Sequence, residues 1–287
     1  MFNDITIVGM GFMGASVAKA VKAAAPEITI KGIDINEKNL EYCISNGIID
    51  KVADISSDIS DLVILCIPPR AILQFAANNK SYIERSPVVT DIGSIKKGIV
   101  SEIKKTGFNR FIGSHPMCGS DKNGPQYADS SIFRGRTCVL IKQPDDENYR
   151  FLEKVASFWT LIGMNIIYAD PDLHDHIVAY SSHLPHVVAF SLSGTVMEIF
   201  SKHIDKNNQN IDPMQFISAG FKDSTRIARS SSEIWTDIFL MNRQNLLLSI
   251  DDFINKINEF KTLLEKGDEN ALKAIITEIS DKRRSID

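Results

Sequence analysis

Three glycines near the start of the chain constrain its fold more than any other feature. Gly9-Met10-Gly11-Phe12-Met13-Gly14 follows the apolar run Ile5 to Val8 and precedes the Ala-rich stretch Ala15 to Ala25, which Pro26 ends. That spacing fits a strand, a tight turn and a helix. One glycine permits the turn, the next lets backbone approach a pyrophosphate, and the third lets helix and strand pack closely. The pyrophosphate then rests on the exposed amides of the helix N-terminus. A second apolar run, Ile28 to Ile33, ends in Asp34, about 20 residues beyond Gly14. An acid there accepts hydrogen bonds from both ribose hydroxyls and repels a 2′-phosphate. NAD is therefore the expected cofactor. Gly9, Gly11, Phe12, Met13, Gly14 and Asp34 are its expected contacts, and the alternative is a purely structural glycine turn in another α/β fold.

The rest of the first half continues the alternation. Leu62 to Ile67 is a continuous apolar run ended by Pro68 and Pro69, as in a strand buried on both faces. Pro87 to Asp91, Arg110 to Gly113 and Thr137 to Ile141 are further strand candidates, with helical patterns between them and over Glu147 to Leu161. Alternation of this kind predicts a Rossmann-type, doubly wound, mostly parallel sheet. The pattern changes near Asp170-Pro171-Asp172, a good helix start with a capping acid and a first-turn proline. Helical periodicity then covers Leu173 to Phe200, Pro213 to Arg229, Ser232 to Leu264 and Glu269 to Lys282. The expected division is a nucleotide-binding domain over 1–169 and an all-α domain over 170–287. Those helices are too apolar for a tail and must pack on each other, on the first domain or on a second copy.

Composition narrows the class. A net charge of −4 and no basic stripe with interleaved aromatics give no sign of a nucleic-acid partner. Cys43, Cys66, Cys118 and Cys138 contain no C-x-x-C pair and fit reduced thiols. The start has no basic n-region before its strand pattern, and no apolar run reaches the roughly 20 residues that span a bilayer. A cytoplasmic enzyme without a membrane partner is the default expectation.

Chemistry is expected where ligands bind in such folds, beyond the carboxyl ends of the strands. Two polar segments follow strands there, Asp91 to Lys96 and Gly113 to Lys122. His115, at a strand end, can take a proton from a substrate hydroxyl while hydride leaves the same carbon. A hydroxyl such as Ser94 can orient it. The alternative for His115 is a simple turn residue. Further on, Ser181 to His186 places Pro185 inside an apolar helix, where it should kink the helix and can aim His186 into a cleft. His174 and His176 read equally well as core histidines with backbone partners. A metal site is not expected, since no helical spacing gathers three histidines with a carboxylate and no H-E-x-x-H occurs. Arg226 and Arg229 are natural forks for a carboxylate, or else part of an ordinary solvated face with Asp223.

The stretches VGMGFMGAS, TDIGSIK, GSHPMCGSDKNG, HLPHVVAF and GFKDSTRIARSSSEIWTDIFLMN, in that order and spacing, resemble the prephenate dehydrogenase family with its arogenate and cyclohexadienyl relatives. The resemblance runs from Ile5 to about Phe253. It implies a Rossmann domain followed by a helical dimerisation domain, hence a homodimer. The implied reaction is NAD-dependent oxidative decarboxylation of prephenate to 4-hydroxyphenylpyruvate, on the route to tyrosine. By resemblance, His115 is the catalytic histidine on the ring hydroxyl and Ser94 supports that contact. Arg226 binds substrate carboxylate, His186 is a second substrate-site histidine, and His183 is its neighbour in the same motif. Ser120 joins the substrate-binding set. Asp121, Asp223 and Trp235 shape the approach to the site, partly across the dimer. An acid at Asp121 can favour the amino group of arogenate over the keto group of prephenate. Neither a fused chorismate mutase nor a fused regulatory module is expected. Competing expectations are a β-hydroxyacid dehydrogenase, for which only Lys222 offers a motif lysine, and a non-catalytic NAD-sensing module.

Overall fold

The computed structural model describes residues 2–120, 122–142, 149–204 and 212–286, the side chains of 203 and 204 excepted. These pack as two units, Met1–Asn242 and Arg243–Asp287.

Among the described residues the first unit holds nine strands. They are β1 (Asp4–Val8), β2 (Thr29–Ile33), β3 (Lys51–Val52), β4 (Leu62–Leu65), β5 (Val89–Asp91), β6 (Phe111–Ile112), β7 (Ser114–Pro116), β8 (Thr137–Ile141) and β9 (Asn165–Ala169). Six form a sheet in the order β3-β2-β1-β4-β5-β6, and every pair in it is parallel. The order reverses between β1 and β4, which marks the crevice where such sheets take ligands. Helices α1 (Phe12–Ala24), α2 (Glu37–Ser45), α3 (Pro69–Asn78), α4 (Lys80–Arg85) and α5 (Lys97–Lys105) lie between its strands, and α6 (Tyr149–Leu161) follows β8. The central strand shows why the sheet is covered on both sides. All four residues of β4 are buried; Leu62 and Ile64 enter one apolar core, Val63 and Leu65 the other. Its sequence reads as an unbroken apolar run for that reason.

Thr137–Ile141 is a strand as expected, yet it belongs to a second sheet, β7-β8-β9, in which β7 is antiparallel to β8. Neither β7 nor β9 carries a strong strand signal. Three residues ending in Pro116 suit an edge position, where the missing N–H costs nothing. Asn165–Ala169 is mostly exposed and so lacks an apolar alternation.

Beyond β9 the unit is helical: α7 (Pro171–Val178), a π-turn Ala179–His183, α8 (Leu184–Ile204), α9 (Ala219–Thr225) and α10 (Ser232–Met241). Asp170 caps α7 by accepting from the Leu173 amide at 2.9 Å. The kink expected at Pro185 takes the form of the π-turn, with Pro185 in the first turn of α8, where its missing N–H is harmless. Two expected helices are broken. Pro213 to Arg229 divides into a 3-10 turn, the short α9 and a second 3-10 turn carrying Arg226. Ser232 to Leu264 is interrupted at Asn242, which is buried and non-helical. Contrary to the sequence expectation, one segment does pass the length and composition test for a membrane span. The helical stretch Pro171–Lys202, π-turn included, has mean hydropathy 1.2 over an 18-residue window.

The second unit contains α11 (Arg243–Lys266) and α12 (Glu269–Arg284). Leu247, Leu248, Ile257 and Leu264 are exposed apolar residues on α11. Asp268 caps α12 by accepting from the Ala271 amide at 3.0 Å.

Candidate active site

The glycine turn sits where β1 passes into α1. Gly9 has φ +94°, and a Cβ there would lie 2.4 Å from the Cys66 carbonyl oxygen. A Cβ on Gly14 would lie 1.8 Å from the Gly9 carbonyl oxygen, so helix and turn touch only because neither has a side chain. At Gly11 a Cβ would meet nothing within 4 Å. The chain thus leaves open space beside the start of α1, whose first turn has no acidic residue and no side-chain cap. Phe12 and Met13 open that helix. Asp34 follows β2, and its Oδ2 accepts from the Met10 amide at 2.7 Å and from Asn39 Nδ2 at 3.2 Å. Its Oδ1 accepts from the Asn36 amide at 2.7 Å. A half-buried carboxylate is therefore tied to the turn itself. Open space over helix amides with an acid beside them fits a dinucleotide whose ribose carries no 2′-phosphate.

The second part of the site is built on a buried ion pair. Lys96, after β5, and Asp91, the last residue of β5, are both fully buried and paired through Lys96 Nζ and Asp91 Oδ2. Burying two charges is costly unless their remaining groups are satisfied, and here they are. Lys96 Nζ also donates to the Ser114 carbonyl at 2.7 Å, and Asp91 accepts from the Gly93 amide at 2.8 Å and the Ser114 amide at 3.1 Å. The Ser114 hydroxyl donates to the Asp91 carbonyl at 2.5 Å and accepts from Trp159 Nε1 at 3.0 Å. These bonds pin β7, and with it His115, against the end of β5.

His115 is buried, and its Nδ1 lies 2.9 Å from Nε2 of His174 on α7. His174 Nδ1 lies 2.7 Å from Asp175 Oδ1. Asp175 in turn accepts from the Lys96 amide at 2.8 Å and the Lys97 amide at 3.0 Å. Burial, followed by the neighbouring His174, the Lys96 ammonium and His183, holds the His115 imidazole well below its usual proton affinity. On the neighbouring strand β8, the Cys138 thiol meets the His115 backbone and is pushed up chiefly by burial. His115 is therefore a neutral base near neutrality, the state a proton acceptor requires.

His183 closes the π-turn and is fully buried. Asn242 Nδ2 donates to the Asp175 carbonyl at 2.7 Å and lies 3.2 Å from His183 Nδ1. Burial lowers the His183 pKa to about 4, and its buried Nε2 has no hydrogen-bond partner among the described residues. His186 stacks on Trp235 and bonds the Ser182 carbonyl at 2.9 Å through Nδ1. Its pKa is lowered first by burial and further by the Arg226 charge. The structure thus gathers His115, His174, His183 and Lys96, and separately His186, Trp235 and Arg226, with Trp235 also meeting the His183 ring edge-on at 6.0 Å.

Ser94 is half-buried in the loop that carries Lys96. The hydrogen bond found on His115 Nδ1 is with His174, which the sequence treats as a core histidine. Ser120 is exposed after β7 and accepts from the Lys122 amide at 3.2 Å. Asp121 lies outside the described residues. Asp223 is exposed on α9, and Arg226 is exposed on the 3-10 turn that follows.

Fold and site together define a nucleotide-binding α/β protein with a neutral imidazole held beside its binding sheet. The chain belongs to the prephenate dehydrogenase family: residues 17–168 match its nucleotide-binding domain and residues 170–278 its dimerization domain. It is 32% identical over 273 residues to the cyclohexadienyl dehydrogenase of Zymomonas mobilis, covering 93% of this chain and 90% of that one. Identity to the prephenate dehydrogenase of Bacillus subtilis is 31% over 278 residues, 93% of this chain and 72% of that one. Among solved structures, the prephenate dehydrogenase of A. aeolicus in complex with hydroxyphenyl propionate and NAD+ superposes with a TM-score of 0.90 at 33% identity, covering 100% and 99%. The arogenate dehydrogenase of Synechocystis shares the fold, with a TM-score of 0.78 at 24% identity and coverage of 99% and 100%.

Proposed function

We propose that this chain catalyses the NAD-dependent oxidative decarboxylation of prephenate to 4-hydroxyphenylpyruvate, a step toward tyrosine. One observation carries the proposal within the family: a buried imidazole, His115, kept neutral and braced at the end of the nucleotide-binding sheet. Gly9, Gly11, Phe12, Met13, Gly14 and Asp34 would hold NAD, which supplies the hydride acceptor when bound. His115 accepts the ring-hydroxyl proton, with Ser94 supporting that contact. Arg226 pairs with substrate carboxylate, as suits a guanidinium facing a dianion. His186, His183, Ser120 and Asp121 complete the substrate site, and the unpartnered His183 Nε2 supplies a polar contact inside it. Loss of carbon dioxide aromatises the ring, so positioning and a proton acceptor suffice.

Residues 170–287 form the substrate-binding and dimerisation domain in this proposal. Exposed Leu192, Met197, Ile199 and Leu240 supply apolar surface for a second copy, which also accounts for the membrane-like hydropathy of Pro171–Lys202. The enzyme would be soluble and cytoplasmic.

Arogenate, alone or alongside prephenate, is the alternative substrate, and the similarity to the cyclohexadienyl dehydrogenase of Zymomonas mobilis supports keeping it. Steady-state assays with each substrate, each with NAD and NADP, decide between them. Prephenate-dependent NADH formation with release of carbon dioxide is expected, and its absence with both substrates overturns the proposal. His115→Asn should lower kcat far more than it alters KM.

A further inference from the structure

We infer that His174 and Asp175 are positioning residues that fix the tautomer of His115, leaving its Nε2 as the acceptor nitrogen. The inference rests on His115 being the proton acceptor proposed above, but its central claim concerns the protein alone. The direction of each hydrogen bond follows from the far end of the chain of groups. Asp175 is a carboxylate that accepts from two backbone amides, those of Lys96 and Lys97. A carboxylate can only accept, so the 2.7 Å contact requires a proton on His174 Nδ1. A neutral His174 then has a lone pair on Nε2. The 2.9 Å contact with His115 Nδ1 in turn requires a proton on that nitrogen. A neutral ring carries one N–H, so His115 Nε2 holds the lone pair.

The arrangement has the logic of a base oriented by a third group, here extended by one imidazole. When His115 Nε2 takes the hydroxyl proton, the O–H bond breaks and an N–H bond forms at Nε2. Nδ1 keeps its proton and continues to donate to His174. The Asp175 carboxylate at the end of the row balances the positive charge that appears on His115. Rigidity comes from elements distant in sequence. Asp175 is clamped to the start of α5 through two amides, and its carbonyl accepts from Asn242 at 2.7 Å. The opposite tautomer of His115 would set two lone pairs, Nδ1 and His174 Nε2, against each other inside a buried site. An unsatisfied buried contact of that kind is disfavoured strongly enough to leave one tautomer dominant.

Long-range ¹⁵N–¹H correlation spectra of protein labelled in its histidine rings test this directly, with His115 and His174 assigned from single variants. The expected result is an Nδ1–H tautomer for His115 in the unmutated protein at pH 7.5, without substrate. An Nε2–H tautomer there overturns the inference whether or not the chain oxidises prephenate. Two variants of similar volume extend the test. His174→Gln offers an amide oxygen to His115 and an amide N–H to Asp175, whereas His174→Leu offers neither. Expected are an Nδ1–H ring and near-normal kcat in H174Q. In H174L a mixed or reversed tautomer is expected, with kcat lower by about tenfold or more and KM within about twofold. Equal kcat in the two variants, with His115 unchanged between them, overturns the positioning role. If H174L fails to fold, the spectrum of the unmutated protein still decides.

Discussion

The indole of Trp235 lies over the imidazole of His186, with ring centroids 3.4 Å apart and planes inclined by 21°. The pair joins α10 to the first turn of α8, and Arg70 anchors α10 from α3 through Asp237 at 2.9 Å. Stacking covers one face of the imidazole. Burial accordingly leads the causes that lower its pKa, with the Arg226 charge acting in the same direction. Trp235→Leu should uncover that face. The His186 pKa is then expected to rise toward 6.5, read by NMR titration. KM should increase by a few-fold to about tenfold, in line with ~0.5–1.5 kcal/mol for such a pair. If neither moves, the stack has no part in substrate binding.

Arg226 faces solvent on its 3-10 turn and carries no ion pair among the described residues. A charge-assisted bond to substrate carboxylate is worth about 1.5–3 kcal/mol. Arg226→Ala should therefore raise KM by about ten- to a hundredfold while changing kcat little, because the carboxylate is held before and during the reaction. Steady-state kinetics check this, and an unaltered KM removes Arg226 from the substrate site.

His183 and His115 link stability to acidity. Both are buried with depressed pKa values, His183 at about 4 against an ordinary 6.5. Below pH 6.5 the unfolded chain binds protons that the folded chain refuses, so stability rises with pH across this range. Their contribution is fully present above 6.5 and is lost progressively as pH falls from 6.5 through 4. Thermal unfolding midpoints should be flat near pH 7.5 and fall through that window, with a shallower fall in His183→Asn. The carboxyls with lowered pKa values, such as Asp50 and Asp58, act only below their ordinary 3.8. A midpoint unchanged between pH 7 and pH 4.5 would contradict the neutral burial of both rings.

The nucleotide-binding half is legible in the sequence because its signals are local. Glycine spacing, an acid at a strand end and the apolar run of β4 each lie within one element. His115, His183 and His186 stand out because polar residues interrupt apolar patterns there. His174 and Asp175 do not, since their meaning depends on β7, 59 residues away, and on the amides that open α5. The Asp91–Lys96 pair is visible only as two charges in a strand-loop segment; nothing local says that both are buried. Asn242 gives no signal at all, although it is the non-helical residue that ends α10 and its side chain reaches the Asp175 carbonyl. Strand β9 is hidden by its exposure, and β7 by its brevity.

Asp34 has two roles that one substitution would confound. Its carboxylate would repel a 2′-phosphate, and it also holds the Met10 amide at 2.7 Å. Asp34→Asn retains an acceptor for that amide and removes the charge, whereas Asp34→Ser removes both. The NADP-to-NAD preference should rise in each variant, and the unfolding midpoint should fall only in D34S. Unchanged cofactor preference in D34N would separate Asp34 from ribose recognition.

Gly11 and Gly14 differ in what a methyl group would meet, and this separates folding from cofactor binding. A Cβ at Gly14 would lie 1.8 Å from backbone, the Gly9 carbonyl oxygen, and 3.1 Å from Ile7 Cγ2. Backbone cannot yield as a flexible side chain does, so the helix must move away from β1. Gly14→Ala is expected to lose several kcal/mol of stability, in the range where strain and overpacking combine. At Gly11 a Cβ meets no atom within 4 Å, and φ of −73° is open to any residue. Gly11→Ala should therefore fold with only a modest drop in its unfolding midpoint, since alanine at a helix N-cap is poorer than glycine by about 0.5–1 kcal/mol. Its methyl group would project into the space above the α1 amides that a pyrophosphate must approach. NAD affinity, measured by calorimetry, should fall by about tenfold or more in G11A without loss of folded protein. A G11A variant that binds NAD normally would show that the pyrophosphate does not pass over this residue.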